Sequence, residues 1–301
     1  MIIWIVSNAN NKSIFDFNER LKFIGIDFNS KEKNIFQIAE KVKEVSSNID
    51  FDGIYDLHNV IRSKILRLML SPKADVTRTF EKQRIFKQKI INKKISLQKL
   101  KTSSERYLDC LKKDFEKLDF SKITKSLEAG ATKKNIIGIA PYSAHKSKIW
   151  PLLNYQKIIN HFYNFQFVIF AFGSQELESS KKFFLKNSNC SVIERNLNLN
   201  DQMKLINNFK VFISMDSANM HLASLTSTKV VSIWGPTHPY LGFSPLFNEK
   251  YIVQLSNEEY TERPISIFGK IKKSDEVKAE QSMSRIDPER VIEKINLAIN
   301  Q

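Results

Sequence analysis

Five short apolar runs in the second half of the chain constrain its fold more than any other feature. They are residues 136–140, 167–171, 191–193, 211–213 and 229–233. Each run is continuous rather than alternating, which is typical of strands buried on both faces of a sheet. The intervals between the runs are long enough for crossover helices, and strands that alternate with helices predict a parallel, doubly wound α/β sheet. We therefore predict a Rossmann-like domain over about 135–285.

One of these intervals shows the helical pattern clearly. Over 155–163, the apolar residues Tyr155, Ile158, Ile159 and Phe162 fall on one face at helical spacing. The interval is therefore expected to form an amphipathic crossover helix.

The first half of the chain carries the same pattern more weakly. Residues 2–6 and 53–57 are predicted strands, and 59–117 looks mostly helical and basic. Residues 34–45 are predicted to form a helix whose inward face carries Ile35, Ile38, Ala39, Val42 and Val45. A domain boundary is expected within 117–134, where polar residues and a glycine precede the 136–140 strand. The predicted division is an N-terminal domain over 1–130, a C-terminal domain over 131–285, and a C-terminal helix over 286–301 that packs back on the N-terminal domain.

Composition excludes several protein classes. Two cysteines in 301 residues exclude a disulfide-stapled scaffold and any Cys-rich metal site. No apolar run approaches the roughly 18–20 residues that a membrane-spanning helix needs. The apolar start at 2–6 is too short for a signal peptide, so the protein is expected to be cytoplasmic. The eight glycines form neither a GxGxxG fingerprint nor a Walker loop, which removes the main support for dinucleotide oxidoreductases and P-loop ATPases.

The net charge of +15 is concentrated in one stretch. Residues 61–101 contain thirteen Lys or Arg and only two acidic residues, Asp75 and Glu81. Such a segment suits nucleic acid, an anionic membrane surface or a phosphorylated substrate, and a solvated basic face is the simplest alternative. Its apolar residues lie among lysines in a pattern close to that of an amphipathic helix. They are Phe80, Ile90, Ile91, Ile95 and Leu100. This pattern favours a membrane surface or a phosphorylated glycolipid over nucleic acid as the binding partner.

The most informative polar segment directly follows the 211–213 strand. Asp216 and Ser217 lie where a helix should begin, so both are expected to cap it. Free backbone N–H groups at that point, with the positive end of the helix dipole, form an anion site. His221 lies about one turn into the helix, close enough to reach the same ligand. In isolation this pattern is more often an ordinary N-cap with a surface histidine.

Two further loops favour a ligand-binding site over an ordinary helix cap. The turn Gly235-Pro236-Thr237 follows the 229–233 strand, and Ser143, Lys146 and Lys148 follow the 136–140 strand. The carboxyl ends of parallel strands are where open α/β sheets bind ligands. A lysine shortly after a small-residue turn suits a diphosphate, although Lys148 alone would more often be a surface charge.

These motifs resemble glycosyltransferase family 9, the ADP-heptose:lipopolysaccharide heptosyltransferase-like enzymes of lipopolysaccharide-core biosynthesis. The resemblance covers most of the chain in order. Its main element is Asp-Ser/Thr-Gly-x-x-His-Leu-Ala, here at 216–223, followed by Gly-Pro-Thr-x-Pro at 235–239. Further matching segments are Lys-Ile-Trp-Pro at 148–151, the strand and helix start at 51–63, Glu-Arg-Tyr at 105–107, and the segments 263–270 and 283–291.

The resemblance implies a GT-B architecture, two Rossmann-like domains facing across a cleft. It implies an inverting glycosyltransferase without a metal or other cofactor, with a nucleotide-sugar donor such as ADP-heptose and a phosphorylated glycolipid acceptor. It also fits a cytoplasmic protein peripheral to the inner face of the cytoplasmic membrane. The implied donor-binding residues are Ser143, Ala144 and Lys148 at the diphosphate, Glu176 at the ribose, Leu197 at the base, and Asp216, Ser217, Ala218 and His221 at the phosphates and sugar. His58 and Arg62 are the implied acceptor-side residues.

Two departures from the family pattern matter. Family members begin with a strand and a loop that carries the general-base Asp, whereas residues 1–6 here resemble the family's second strand. The N-terminal domain is therefore expected to be truncated and to lack this base, which leaves a catalytically silent relative that binds a nucleotide or a partner as an alternative. His58 or Asp56 could substitute as base, but a structural role is favoured for both. The family's glycine after Asp-Ser/Thr is Ala218 here.

Overall fold

The computed structural model describes residues 1–27, 35–47, 49–119, 133–194 and 196–301. Its strands are β1 (Ile3–Asn8), β2 (Leu21–Ile26), β3 (Phe51–Asp56), β4 (Ala74–Thr79), β5 (Lys134–Ala140), β6 (Gln166–Ile169), β7 (Cys190–Val192), β8 (Phe209–Met215), β9 (Lys229–Trp234) and β10 (Ile252–Gln254). Its helices are α1 (Ile35–Val45), α2 (Ile61–Leu70), α3 (Arg84–Ile91), α4 (Ser103–Lys112), α5 (Leu152–His161), α6 (Ser174–Phe184), α7 (Leu199–Ile206), α8 (Ala218–Ser224), α9 (Glu276–Ser284) and α10 (Pro288–Ile299).

The chain forms two compact units whose division differs from the expected one. Unit 1 comprises the described residues of 1–83, 103–123 and 198–200, and unit 2 comprises those of 84–102, 124–197 and 201–301. The boundary expected at 130 lies outside the described residues. The structure assigns 84–102 to unit 2, although the sequence suggested that this stretch belongs to the N-terminal domain.

Unit 2 is built on a six-stranded parallel sheet. Its strand order is β10-β9-β8-β5-β6-β7, so all five strands predicted in the second half are confirmed and β10 is added at one edge. Both faces are covered, as the continuous apolar runs require. In β8, for example, Val211 and Ile213 belong to the core cluster on one face, and Phe209 and Phe212 to the cluster on the other.

Helices α5 and α10 cover the same face of this sheet. The expected inward face of α5 is confirmed, because Tyr155, Ile158 and Ile159 are buried there. The apolar side chains of α10, including Val291 and Ile295, lie in the same core cluster. The structure therefore places α10 in unit 2, and the expectation that it packs back on the N-terminal domain is corrected. Its apolar face is occupied by β8, β9 and α5.

Unit 1 contains two pairs of parallel strands, β1 with β2 and β3 with β4. Strands β1 and β3 correspond to the two predicted strands. In α1, Ile38, Ala39 and Val42 are buried as predicted, whereas Asn34 and the side chains of Ile35 and Val45 lie outside the described residues. Strand β4 corrects the helical assignment of 59–117. Its sequence, Ala-Asp-Val-Thr-Arg-Thr, is rich in β-branched residues and poor in helix formers.

The basic segment 84–102 packs on unit 2 through its apolar side chains. Ile90 and Leu100 form a cluster with Leu241, and the backbone N–H of Leu100 donates to Tyr240 O at 2.9 Å. The apolar residues that favoured a membrane surface are therefore partly or fully buried in the fold, and this support for membrane binding is lost. Within the described part of the chain, no helix combines the length and apolar character needed to cross a membrane.

Candidate functional site

The candidate site begins where β5 and β8 end. These strands are parallel neighbours in the centre of the sheet, so the loops at their carboxyl ends meet. The ammonium of Lys148, from the loop after β5, donates to the backbone oxygen of Asp216 at 2.5 Å and to its carboxylate Oδ2 at 3.2 Å. Only 10% of each side chain is exposed. Lys148 is thus a buried cation fixed at the sheet edge by Asp216, not a surface charge.

The start of α8 differs from the expected capping pattern. Ser217 occupies the N-cap position, but its side chain makes no hydrogen bond to the helix. The Ser217 hydroxyl instead lies 3.0 Å from the hydroxyl of Ser214, and the Asp216 carboxylate is engaged by Lys148. The expectation that both side chains cap the helix is therefore wrong. Ala218, the first helical residue, is exposed.

Ser143, in the same loop as Lys148, has a buried hydroxyl that makes no hydrogen bond within the described part of the chain. Its Oγ is inaccessible to solvent and has no hydrogen-bond partner among the described residues, and the same holds for Oγ1 of Thr237. Buried polar atoms are nearly always paired, so such an atom needs an explanation, and an absent ligand is one. Both residues belong to the loops that the sequence singled out, after β5 and β9, while the neighbouring Ala144 is exposed.

His221 lies on α8, one turn beyond its start. The residue is exposed, yet the protein partly desolvates its imidazole. This desolvation lowers the pKa of His221; Asp216 opposes the shift, and Lys148 adds to it. The ring is therefore neutral at neutral pH and carries one donor and one acceptor nitrogen.

Glu176 and Leu197 follow β6 and β7, further along the same sheet edge. Glu176 is in the first turn of α6, after β6, and its carboxylate accepts a hydrogen bond of 3.0 Å from the N–H of Phe172. Leu197 precedes α7, and its carbonyl accepts from Gln202 Nε2 at 2.9 Å. Each residue is fixed to its own loop. Of the sequence-predicted donor residues, the structure joins Lys148 and Asp216 directly.

The acceptor-side residues belong to unit 1. His58 lies in the turn between β3 and α2, Arg62 lies in the first turn of α2, and both are exposed. Asp56 is buried, and its carboxylate accepts from the N–H groups of His58 and Asn59 at 3.0 and 2.6 Å and from the Ser63 hydroxyl at 3.0 Å. Asp56 therefore holds the turn together, which supports the structural role favoured for it.

A segment that the sequence had matched without assigning a role, 263–270, proves to be part of the site's framework. Arg263 is 3% exposed, and its acceptors among the described residues are neutral oxygens, including the carbonyls of Gly235 and Thr237. Burial lowers the pKa of its guanidinium to about 10. Burial also lowers the pKa of nearby His238 to about 3, with Arg263 and Lys93 contributing. An arginine in a mostly apolar stretch was the available sequence signal.

A cavity of about 560 Å³ opens beside the loop after β5. Its lining includes Ala144, Lys146 and Ser147 from that loop, Gly269 and Lys270 from the segment 263–270, and residues of α9. In the described part of the chain, no group of three or more His, Cys, Asp or Glu side chains could hold a metal ion. The expectation of metal-independent chemistry stays a prediction.

Comparisons with known proteins identify related folds. A family model described as glycosyltransferase family 9 (heptosyltransferase) matches residues 43–267. No curated protein matches the sequence significantly. Among solved structures, a glycosyltransferase family 9 protein from Veillonella parvula gives a TM-score of 0.73 at 16% identity, covering 99% of this chain and 88% of that one.

Two heptosyltransferases from E. coli are also similar in structure. WaaC with ADP gives a TM-score of 0.71 at 13% identity, over 97% of this chain and 89% of that one. The ADP-heptose lps heptosyltransferase II gives 0.67 at 16% identity, over 100% and 90%. At these identities the likeness concerns the fold, and the α/β fold with a parallel sheet matches GT-B glycosyltransferase structures.

Proposed function

The chain belongs to glycosyltransferase family 9, and we propose that it transfers a sugar from a nucleotide-sugar donor to a glycolipid acceptor, with inversion at the anomeric carbon. The proposed donor is ADP-heptose, and the proposed acceptor is a phosphorylated glycolipid of the lipopolysaccharide-core type. Two structural neighbours support the donor class, because WaaC was solved with ADP and also with ADP-2-deoxy-2-fluoro heptose.

The buried Lys148–Asp216 pair is the observation that carries this proposal. Negative charge develops on the nucleoside diphosphate as its bond to the sugar breaks. A fixed cation beside the diphosphate therefore stabilises the transition state. Lys148 is nearly excluded from water and already held by Asp216. Its attraction for a diphosphate is therefore less weakened by solvent than that of a surface lysine, and little reorganisation is needed when the donor binds.

The remaining donor residues have roles that suit their surroundings. The unsatisfied hydroxyl of Ser143 would hydrogen-bond a phosphate oxygen, and the neutral imidazole of His221 would bond a phosphate or sugar hydroxyl. Glu176, in the first turn of α6, would accept hydrogen bonds from the ribose hydroxyls, and Leu197 would pack against the base. His58 and Arg62, which belong to unit 1, would bind the acceptor, and Arg62 would attract its phosphate groups.

A glycolipid acceptor would bring the protein to the inner face of the cytoplasmic membrane, so we propose a peripheral cytoplasmic location. The exposed lysines and arginines of 61–101, rather than its apolar side chains, would then contact anionic head groups. Co-sedimentation with anionic and with neutral vesicles separates this attraction from non-specific adsorption.

A transfer assay tests the proposed reaction. Purified protein is mixed with a lipopolysaccharide-core glycolipid and either ADP-heptose or UDP-glucose, and released nucleotide and product mass are measured. We expect ADP release and addition of one heptose with ADP-heptose only. Donor binding without product would favour the catalytically silent alternative, and absence of binding to either nucleotide sugar would contradict the proposed donor site.

A further inference from the structure

Residues 263–270, which we name the strap, connect the turn after β9 to Lys148. We propose that the strap positions the Lys148 ammonium for the donor diphosphate and that Gly269 is the residue through which it acts. This inference rests on the proposed function, because it concerns the same donor site.

The first half of the strap is hydrogen-bonded to the Gly235-Pro236-Thr237 turn. The Arg263 guanidinium donates to the carbonyls of Gly235 and, at 2.8 Å, of Thr237. The backbone N–H groups of Ile265 and Ser266 both donate to Pro236 O, at 2.8 and 3.1 Å. Three successive carbonyls of the turn are thus bound by the strap.

Arg263 also ties the strap to the strand end after β10. Its guanidinium donates to Leu255 O at 2.7 Å and to the Gln254 side-chain oxygen at 3.0 Å. The backbone oxygen of Arg263 in turn accepts from the Lys93 ammonium at 2.9 Å. All of these acceptors are neutral, so the guanidinium acts as a buried hydrogen-bonding anchor rather than as half of an ion pair.

The second half of the strap is closed by Ser266. Its hydroxyl accepts from the N–H of Gly269 and donates to Lys270 O, both at 2.9 Å. These bonds hold Gly269 with a positive φ of 99°, in the region that favours glycine. The geometry of the strap around Gly269 is therefore set by its own side chains.

Gly269 contacts the loop after β5 at two points. Ser147 Oγ donates to Gly269 O at 2.6 Å. A Cβ at position 269 would come within 2.8 Å of Cδ and Cε of Lys148, so the lysine stem runs directly over the glycine. The stem is confined between the strap and the sheet edge, and this confinement aims the ammonium at Asp216. A methyl group at 269 must push the stem aside.

The experiment is a double-mutant cycle on ADP affinity, measured by calorimetry with Lys148→Met, Gly269→Ala and the double variant. Gly173→Ala is the matched control, because Gly173 also has a positive φ, of 84°, but a Cβ there meets nothing within 4 Å. Loss of a hydrogen bond to a charged group weakens binding by about tenfold or more, so we expect Gly269→Ala, which displaces the Lys148 ammonium, to weaken ADP binding about tenfold. In the Lys148→Met background it should change ADP affinity less than twofold.

The possible outcomes distinguish a failure of the proposed role of the strap from a failure of the proposed donor site. If Lys148→Met leaves ADP affinity unchanged, the proposed donor site fails. If Lys148→Met weakens binding but Gly269→Ala matches Gly173→Ala, only the role of the strap is overturned. A tenfold loss with Gly269→Ala that persists in the Lys148→Met background would also overturn it, because the effect would not act through the lysine. Thermal midpoints measured without ADP show that each variant is folded at the temperature of the titration, so that a loss of affinity is not a loss of folded protein.

Discussion

Replacing Lys148 by Met should expose how strongly the buried pair contributes to the fold. Methionine keeps most of the apolar stem and removes the ammonium that bonds to Asp216 O and Oδ2 at 2.5 and 3.2 Å. At 3.2 Å and an effective dielectric constant of about 20, the charge–charge attraction is about 5 kcal/mol before desolvation is subtracted. Loss of one partner of a buried pair leaves the other charge buried without a counter-charge. We therefore expect the free energy of unfolding to fall by about 3–5 kcal/mol.

The double variant Lys148→Met/Asp216→Asn distinguishes two causes of lost stability, the unpaired Asp216 carboxylate and the loss of packing. It removes the uncompensated carboxylate, so more than half of the lost stability should return. Urea unfolding at pH 7 is followed by tryptophan fluorescence, because Trp150 and Trp234 are fully buried in unit 2. A single-variant loss below about 1 kcal/mol, or a double variant no more stable than the single one, would refute the electrostatic reasoning. Stability would return in the double variant, whereas ADP binding would not.

Three further outcomes follow from the described contacts. Asp56→Ala removes the acceptor of two backbone N–H groups and the Ser63 hydroxyl, so the free energy of unfolding in urea should fall by about 2–4 kcal/mol, whereas Asp56→Asn, which keeps one acceptor oxygen, should lose less. Ile90→Ala leaves a cavity in the cluster with Leu100 and Leu241, so it should cost about 2–5 kcal/mol in the same unfolding assay; exposed Ile85 is the matched control, and equal losses would contradict the packing of 84–102 on unit 2. The pKa of His238 is lowered to about 3, so the unfolded state binds a proton more readily between about pH 3 and 6.5, and stability falls as pH falls through that window. Between pH 7 and 5 the fall attributable to His238 is about 2 kcal/mol, and urea unfolding of His238→Asn should lack it.

The sequence predicted the sheet of unit 2 because its strands are continuous apolar runs. Strand β10 was missed, since a strand of three residues is too short to show a clear period. Strand β4 was taken as helix because its polar, basic surroundings hide a pattern that is decided by pairing with β3. The assignment of 84–102 to unit 2 depends on contacts such as that of Leu100 with Tyr240, which are far apart in sequence.

The sequence predicted which residues lie at the site better than it predicted the hydrogen bonds between them. Motif resemblance placed Lys148 and Asp216 together, but local spacing suggested that Asp216 and Ser217 cap α8. In the structure the Asp216 carboxylate instead bonds to Lys148, from the loop after β5, and the Ser217 hydroxyl lies against that of Ser214, at the end of β8. The role of Arg263 could not be inferred, because a charged residue is ordinarily expected at the surface. The expected loss of an N-terminal strand and base stays a prediction.

Calorimetric titration of ADP-heptose into the wild-type protein and Lys148→Met tests the proposed donor site most directly. We predict one binding site in the wild type and an affinity at least tenfold lower in the variant, since a charge-assisted hydrogen bond contributes about 1.5–3 kcal/mol. Equal affinities in the two proteins, or no binding to the wild type, would contradict the assignment of Lys148 and Asp216 to a nucleotide-sugar site.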